Sequence, residues 1–266
     1  MEYYIVLSYR KFCEYFSEFK KGDLIGIRIP FKPGEEVLVV DLINRGVEAF
    51  PSFLSQLLSK SKCMQVQVLK EFMPPYTFVV KDKTSLLEVM SRVCKEGLYE
   101  KKFVTKLDKA NCGLGIKLWS SIEEVFNFAG TQVLEYPFVL QPFYENLKDI
   151  RVVWLGDEYK EAYQRINPTN FRQNIFFGGD SKPYELSERE MDFCKRVMKR
   201  GGFPYAHIDM IYVNGSGPFL GEINLKGGIK GAKISSLEYE SIISKITKEY
   251  FKSWESRFSP VKYLYP

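Results

Sequence analysis

The chain has 266 residues, of which 45% are hydrophobic and 27% charged, and its formal net charge at pH 7 is +5. These values are typical of a soluble globular protein, and no apolar run approaches the roughly 18 residues of a membrane span. The mild charge argues against nucleic acid as the main partner and suits a small anionic ligand. The five scattered cysteines and the absence of a targeting signal predict reduced thiols and a cytoplasmic protein.

Residues 1–50 alternate strand-like runs with a short helical stretch near 11–20. The strand-like runs are YYIVLSY, LIGIRIP and VLVVDLI. A helix is predicted over 52–72, and the pair Pro74-Pro75 ends it because proline cannot continue a helix. This order of elements predicts a small α/β unit at the N-terminus.

The remainder of the chain predicts further strands and helices separated by turn residues. Strands are predicted for TFVV, KKFVTKL, GIKLW, FVLQPF, DIRVVWLG and EYKEAYQRI. Ser120 and Ser187 each stand three residues before a glutamate, a capping-box pattern that predicts a helix start. A terminal helix is predicted over 236–255, where apolar residues recur at helical spacing. We therefore expect an α+β protein with mainly antiparallel sheets after residue 73.

The stretch IDMIYVNGSGPFLGEIN contains two strand-like runs around a cluster of turn residues, which predicts a β-hairpin. If the four residues NGSG form the loop, Val213 faces Pro218, and Asp209 then lies directly opposite Glu222. Asn224 is two positions beyond Glu222 and shares its face of the sheet. The hairpin would therefore hold two carboxylates and an amide oxygen close together.

Directly opposed carboxylates destabilise a sheet unless a cation lies between them. A set of oxygen ligands such as this one suits Mg²⁺ or Mn²⁺. If the loop differs in length by one residue, the acids point to solvent instead, and the pattern alone leaves both arrangements open. The chain's one histidine, His207, stands beside the same strand and is expected to be a packed structural residue.

Lys106 stands at the end of a predicted strand, and the loop DKANCGLG follows it directly. Glycines such as Gly113 and Gly115 let backbone amides close over a phosphate, and a lysine adds a positive charge. An ordinary turn beside a surface lysine is the simpler explanation when this segment is taken alone.

Two further segments place charged residues in alternation. Asp149 and Arg151 share one face of a predicted strand, where a local salt bridge is the plainest interpretation. Arg172 and Asn174 alternate in the loop INPTNFRQNIFFGGD, and both side chains suit contacts with phosphate or carboxylate.

These segments follow one another in a characteristic order, and the sequence resembles the ATP-grasp superfamily, most closely the RimK-like carboxylate–amine ligases. The resemblance covers roughly residues 60–234. It rests on Lys106-Leu with Gly113-Leu-Gly115, on Asp149-Ile-Arg151 with Gly156-Asp157-Glu158, on Phe171-Arg172-Gln-Asn174 with Gly178-Gly179, and on Asp209, Glu222 and Asn224. Lys62 is similar to the family's first ATP lysine, although Lys60 could serve instead.

The resemblance implies an ATP-grasp fold, in which two α+β subdomains clasp ATP after a short α/β N-terminal unit. The expected boundaries are 1–72 for that unit, 73–136 for a small lid subdomain and 137–266 for a C-terminal subdomain with the metal site. The implied activity is that of an ATP-dependent carboxylate–amine ligase, which forms an amide or peptide bond through an acyl phosphate.

The resemblance also implies cofactors and roles for individual residues. ATP and Mg²⁺ (or Mn²⁺) are the expected cofactors, and a carboxylate and an amine of unknown identity are the expected substrates. The roles that it implies are ATP binding by Lys62, Lys106, Gly113, Gly115, Gln141, Pro142, Phe143 and Asn174, metal ligation by Asp209, Glu222 and Asn224, and stabilisation of the acyl phosphate by Arg151 or Arg172. Ligases of this family often pair up, which leaves room for a homodimer.

The sequence departs from the family pattern at three places, and the changes at Phe177 and Lys226 fall where the acceptor substrate is expected. Gly227-Gly228 stands where the family commonly has Pro-Gly, Phe177 replaces a basic residue, and Pro142 follows Gln141 in place of the usual glutamate. Substrate identity therefore does not carry over. The alternative to a ligase is an ATP-grasp protein that binds ATP without ligase activity, as a regulatory or partner-dependent subunit.

Overall fold

The computed structural model describes residues 2–32, 34–108, 115–131, 134–168 and 179–266. The helices of this part of the chain are α1 (Tyr9–Glu14), α2 (Glu36–Asn44), α3 (Phe53–Leu58), α4 (Lys62–Val68), α5 (Lys83–Lys95), α6 (Ile122–Gly130), α7 (Glu188–Gly201) and α8 (Ser236–Glu255). Short 3-10 helices cover Phe16–Glu18 and Lys70–Phe72.

The strands are β1 (Tyr3–Val6), β2 (Leu24–Ile25), β3 (Glu48–Ala49), β4 (Phe78–Val80), β5 (Phe103–Leu107), β6 (Ile116–Trp119), β7 (Phe138–Pro142), β8 (Leu147–Leu155), β9 (Tyr159–Ile166), β10 (Asp180–Tyr184), β11 (Tyr205–Val213), β12 (Ser216–Asn224) and β13 (Val261–Leu264). Sequence patterning did not predict β10 or β13. β13 pairs with β1 in parallel, so the end of the chain returns to the N-terminal sheet.

Three sheets organise the strands, in the orders β13-β1-β2-β3, β4-β7-β5-β6 and β10-β9-β8-β11-β12. The first is parallel along its described pairs, whereas the other two are antiparallel, as the sequence predicts after residue 73. Each sheet has a cluster of buried apolar residues beside it. The division of the chain at residues 72 and 136 stays a prediction.

The run VLVVDLI was predicted as a strand, and this prediction is wrong because the run forms most of α2. Its β-branched composition is typical of a strand. However, only Val39 and Leu42 are buried, three residues apart on one helical face, while Val37, Val40 and Ile43 are exposed. Three-residue spacing of buried positions is the period of a helix.

The helix predicted over 52–72 is broken into α3 and α4. Ser61 caps α4 by accepting a hydrogen bond from the Met64 amide at 3.0 Å. Asp108, just after β5, accepts from the Ser61 hydroxyl at 2.9 Å and from the Cys63 amide at 3.0 Å. The start of the glycine loop is thus fastened to the N-terminus of the helix that carries Lys62, where a carboxylate is stabilised by the helix dipole.

Two capping boxes were predicted from Ser-x-x-Glu patterns. The one at Ser187 is confirmed, with Glu190 as its partner. The one at Ser120 is wrong by one residue, because Ser121 caps α6 and accepts from the Glu124 amide at 3.2 Å. Ser120 instead donates to the Glu124 carboxylate at 2.7 Å.

The five-stranded sheet has one face buried against helices and one face open to a cleft. Ile150, Val152 and Trp154 alternate along β8 and pack in the same core as Phe193 and Val197 of α7. The intervening β8 residues point to the other face, since strand side chains alternate. That open face carries the candidate site. Among the described residues, no helix combines the length and apolar character needed to cross a bilayer.

Candidate active site

The hairpin of β11 and β12 brings the predicted metal ligands together. Asp209 lies directly opposite Glu222, as the sequence predicts, and Asn224 lies opposite His207. The two carboxylates and the amide therefore share the open face of the sheet.

The turn that produces this pairing differs from the predicted one. Asn214 and Gly215 alone form the turn, and Val213 pairs with Ser216, so the predicted pairing of Val213 with Pro218 is wrong. Two register irregularities along the hairpin restore the expected pairing at Asp209. Such irregularities are common next to active sites, where they re-aim side chains.

Neighbouring strands add two arginines to the same face. β8 places Arg151 opposite Asp209, and β9 places Arg165 opposite Asp149. Arg151 donates to both carboxylate oxygens of Asp209, with Nη2 at 3.1 Å from Oδ2. Arg165 Nη2 lies 2.9 Å from Asp209 Oδ2 and also binds both oxygens of Asp149, at 2.7 and 2.8 Å.

The arginines control the charge of Asp209. Burial alone would raise the pKa of Asp209, but the guanidinium groups of Arg151 and Arg165 outweigh it and hold the pKa well below its usual range. Asp209 is therefore ionised at neutral pH, and both of its oxygens are engaged by arginines.

Sequence reasoning did not single out Arg165. A two-residue turn at Gly156-Asp157 would have put Gln164 opposite Asp149, whereas β9 begins only at Tyr159 and moves Arg165 into that position. The alternation of polar residues in EYKEAYQRI was the available signal, but it needed the correct turn length.

Two lysines approach the acidic residues from other elements. Lys62, in the first turn of α4, has its Nζ at 3.4 Å from Glu222 Oε1. Lys106 on β5 is half-buried, and burial lowers its pKa while the charge of Glu222 opposes that shift. Lys60 has its Nζ at 2.5 Å from the Ile29 carbonyl, so Lys62 contacts the acidic pair whereas Lys60 contacts Ile29.

A cleft of about 1120 Å³ lies between the open face, the sheet of β5 and the N-terminal unit. Gln141, Pro142 and Phe143 line one end of it. The Phe143 amide donates to the Lys102 carbonyl at 2.8 Å, so this N–H is not available to a ligand. The volume exceeds that of a usual small-molecule site and leaves room for a nucleotide and a second substrate.

His207 lies on the same face of the sheet as Asp209 and is packed, as the sequence predicts, with 2% of its surface exposed. Its Nε2 lies 2.9 Å from the Tyr239 hydroxyl, and burial lowers its pKa to about 4. Gly227 presses against it, because a Cβ added there would lie 2.9 Å from His207 Nδ1 and 3.0 Å from Arg151 Nη1. A side chain at position 227 would displace Arg151 or His207.

We compared the sequence with models of protein families. A family model described as the RimK-like ATP-grasp domain matches residues 58–246, which is most of the chain. The chain belongs to the RimK-like ATP-grasp family. One curated relative is a glutathione synthetase from Agrobacterium fabrum, which is 29% identical to this chain. The match covers 48% of this chain and 41% of the relative.

Other relatives extend the match. A probable alpha-L-glutamate ligase 1 from Hahella chejuensis is 24% identical over 69% of this chain and 60% of its own length. The chain thus spans less than two thirds of the length of either relative. Among solved structures, a D-alanine–D-alanine ligase from Bacillus anthracis aligns with a TM-score of 0.59 at 14% identity, covering 97% of this chain and 100% of that one. This likeness establishes the ATP-grasp fold.

Most of the site residues that the family resemblance implies line one cleft in the structure. Gly115 closes the loop after β5, where its carbonyl accepts from the Leu107 amide at 2.9 Å. Gly113, Arg172, Asn174 and Phe177 lie outside the described residues, so their predicted roles stay predictions.

The donor set fits a hard divalent cation in its chemistry. Within the described ranges, no three His, Cys, Asp or Glu side chains form a metal cluster, so a site here depends on the amide oxygen of Asn224. Glu222 and Asn224 line the cleft, and Asp209 lies beside them with its oxygens held by Arg151 and Arg165. Oxygen ligands of this kind suit Mg²⁺ and Mn²⁺.

Proposed function

We propose that the chain is an ATP-dependent carboxylate–amine ligase that forms an amide or peptide bond through an acyl phosphate. The observation that carries this proposal is that Lys106, Arg151 and the pair Asp209 and Glu222 line one cleft. Lys62 joins them through its contact with Glu222. Such a reaction needs no protein nucleophile. It needs in-line positioning and neutralisation of the charge that develops on the transferred phosphoryl group.

Each side of the cleft supplies part of that requirement. The segment of Gln141, Pro142 and Phe143 would hold the adenine through groups other than the Phe143 amide, which donates to Lys102. Lys62 and Lys106 would hold the α- and β-phosphates. Burial of Lys106 strengthens its attraction to phosphate, because the local dielectric constant is low. Asp209, Glu222 and Asn224 would hold Mg²⁺, which would supply positive charge to neutralise the phosphates of ATP.

Arg151 and Arg165 would stabilise the acyl phosphate. In the structure both are held by Asp209, and an incoming triphosphate offers them stronger anionic partners. The exchange would free Asp209 for the cation while the arginines turn to the reacting group. Loss of one donor of this kind costs on the order of 3 kcal/mol in the barrier.

An ADP-release assay tests the proposal. The protein is incubated with ATP, Mg²⁺ and a pool of amino acids and peptides, and products are identified by mass spectrometry. We expect substrate-dependent ADP release that falls at least about a hundredfold in Glu222→Gln. The matched control, Glu249→Gln, changes an exposed glutamate on α8 and should keep full activity. ATP binding by calorimetry without ADP formation from any substrate would favour the alternative of a non-catalytic ATP-binding protein.

A further inference from the structure

The strand that carries two of the proposed cation ligands lies at the edge of its sheet. β12 is last in the order of the five-stranded sheet, and β11 is its one neighbouring strand in the described part of the chain. An edge strand leaves part of its backbone N–H and C=O groups without a partner in the sheet. The position of Glu222 and Asn224 therefore also depends on what binds the outer edge of β12, which is the edge away from β11.

One buried side chain binds the outer edge of β12 at Ile223. Gln65 of α4 is 2% exposed, and its Oε1 accepts from the Ile223 amide at 3.0 Å. Its Nε2 donates to the Ile223 carbonyl at 2.9 Å and to the Leu58 carbonyl at 2.8 Å. Gln65 thus pairs with both backbone groups of Ile223, as a residue of a neighbouring antiparallel strand would.

This contact lies between the two proposed ligands in the sequence. Ile223 stands between Glu222 and Asn224, and its own side chain is fully buried on the other face of the sheet. Two residues further on, the Leu225 amide donates to the Ser59 hydroxyl at 2.9 Å. The backbone is therefore held on both sides of Asn224.

The helix that carries Gln65 also carries a proposed phosphate-binding lysine. Lys62 stands three residues before Gln65, so the two side chains are neighbours on the surface of α4. Lys62 Nζ lies 3.4 Å from Glu222 Oε1. α4 therefore contacts β12 through Lys62 at the side chain of Glu222 and through Gln65 at the next residue of the backbone.

Hydrogen bonding is what distinguishes a glutamine from an apolar residue at this buried position. An apolar side chain of similar length would fill the space but leave both backbone groups of Ile223 without this partner. Groups that orient metal ligands without touching the metal typically lower metal affinity by about 10- to 100-fold when they are replaced.

We propose that Gln65 and Ser59 are positioning residues for the cation site. They fix the outer edge of β12, so that Glu222 and Asn224 are held in one arrangement before a cation binds. Both act through the backbone of β12 and neither is a ligand of the cation. This inference rests on the proposed function for the identity of the cation ligands.

Two variants and two measurements test the inference. Gln65→Met keeps the length of the side chain and removes its hydrogen bonds, and Ser59→Ala removes only the acceptor of the Leu225 amide. Amide exchange in the metal-free protein, followed by NMR, reports on the edge of β12. Mn²⁺ binding in the presence of a non-hydrolysable ATP analogue, followed by electron paramagnetic resonance, reports on the cation site.

In Gln65→Met we expect faster exchange of the Ile223 amide and about 10- to 100-fold weaker Mn²⁺ binding. Ser59→Ala should weaken Mn²⁺ binding by a smaller factor, because the contact of Gln65 with β12 stays intact. If Gln65→Met does not fold, Ser59→Ala decides the outcome.

A second buried glutamine provides the matched control. Gln56 of α3 is also 2% exposed and also forms three hydrogen bonds with backbone groups, all of them in residues before position 52 and none in β12. Gln56→Met should lower the midpoint of urea unfolding as Gln65→Met does, but it should keep the Mn²⁺ affinity of the wild type. A role of Gln65 in stability alone would leave Mn²⁺ affinity unchanged in both variants.

Wild-type Mn²⁺ affinity in Gln65→Met and Ser59→Ala would overturn the inference and leave the proposed function standing. Equal weakening of Mn²⁺ binding in Gln56→Met and Gln65→Met would also overturn it. A wild-type protein that binds no Mn²⁺ with the ATP analogue would refute the cation site of the proposed function, and this inference with it.

Discussion

At the residue scale, the candidate site is built around Asp209, which forms ion pairs with both Arg151 and Arg165. Asp209 is 13% exposed and Arg165 is 8% exposed at the side chain, so their attraction is weakly screened. Removing one member of a buried charged network leaves the others without compensation. We therefore expect single substitutions in this network to lower the stability of the fold. We also expect a phosphate to replace Asp209 as the partner of an arginine.

Arg165→Gln should destabilise the fold by about 3 kcal/mol or more, because Asp149 loses its paired partner inside the protein. Urea unfolding at pH 7 measures this change. Arg196→Gln is the control, since Arg196 and Asp192 form an exposed pair at 61% and 67% exposure and should contribute little. A loss in Arg165→Gln no larger than in the control would contradict the buried network.

Burial should lower the pKa of His207 from the 6.5 of an unburied histidine to about 4. Its folded pKa is lowered, so the unfolded state binds more protons between these values, and stability falls as pH drops from about 6.5 to about 4. Because His207 is the chain's one histidine, its ring signals in NMR are unambiguous. A titration midpoint of His207 near pH 6.5 would contradict this prediction. So would a loss of stability between pH 6.5 and pH 4 in His207→Gln that equals the loss in the wild type.

At the scale of single elements, the hairpin shows what sequence can and cannot predict. The pairing of Asp209 with Glu222 was predicted correctly from a wrong loop, because two register irregularities compensate for the shorter turn. Irregularities of this kind depend on packing against β8 and are invisible in one strand's pattern. Arg165 was missed for a different reason, because the turn between β8 and β9 is one residue longer than a two-residue turn at Gly156-Asp157. The periodic pattern of α8 predicted its bounds, 236–255.

Gly227→Ala should lower both stability and ADP release, because its methyl group would meet His207 Nδ1 at 2.9 Å and Arg151 Nη1 at 3.0 Å. Displacing packed side chains by one methyl group costs about 1–3 kcal/mol. Gly228→Ala is a neighbouring control, since an added Cβ there has no described atom within 4 Å. Unfolding and ADP-release measurements on both variants test the difference, and equal behaviour would show that Gly227 is not a tight packing position.

At the scale of the whole molecule, the cleft collects residues from distant parts of the chain. Lys62 comes from α4, Lys106 from β5, Arg151 from β8 and Glu222 from β12. The order of these motifs made the family recognisable from sequence. The cleft is also lined by Arg28 and Ile29, which sequence patterning did not single out.

ATP with Mg²⁺ should raise the melting temperature of the whole chain, since a ligand that binds only the folded state stabilises it by about 2.7 kcal/mol at one hundred times its Kd. Lys106→Gln should reduce this shift, because the half-buried lysine loses its charge toward the phosphates. Lys101→Gln changes an exposed lysine nearby and should keep the full shift in differential scanning fluorimetry. Equal shifts in both variants would remove Lys106 from the nucleotide site.

We expect the open face of the sheet to hold a triphosphate through Asp209, Glu222 and Asn224 with a divalent cation. A crystal structure with a non-hydrolysable ATP analogue and Mg²⁺ would show where the nucleotide and the ion bind. We expect the adenine beside Gln141, the ion on these three side chains, and at least one guanidinium released from Asp209. A nucleotide bound elsewhere, or an Asp209 still held by both arginines with no ion beside it, would show that these side chains do not form the nucleotide site.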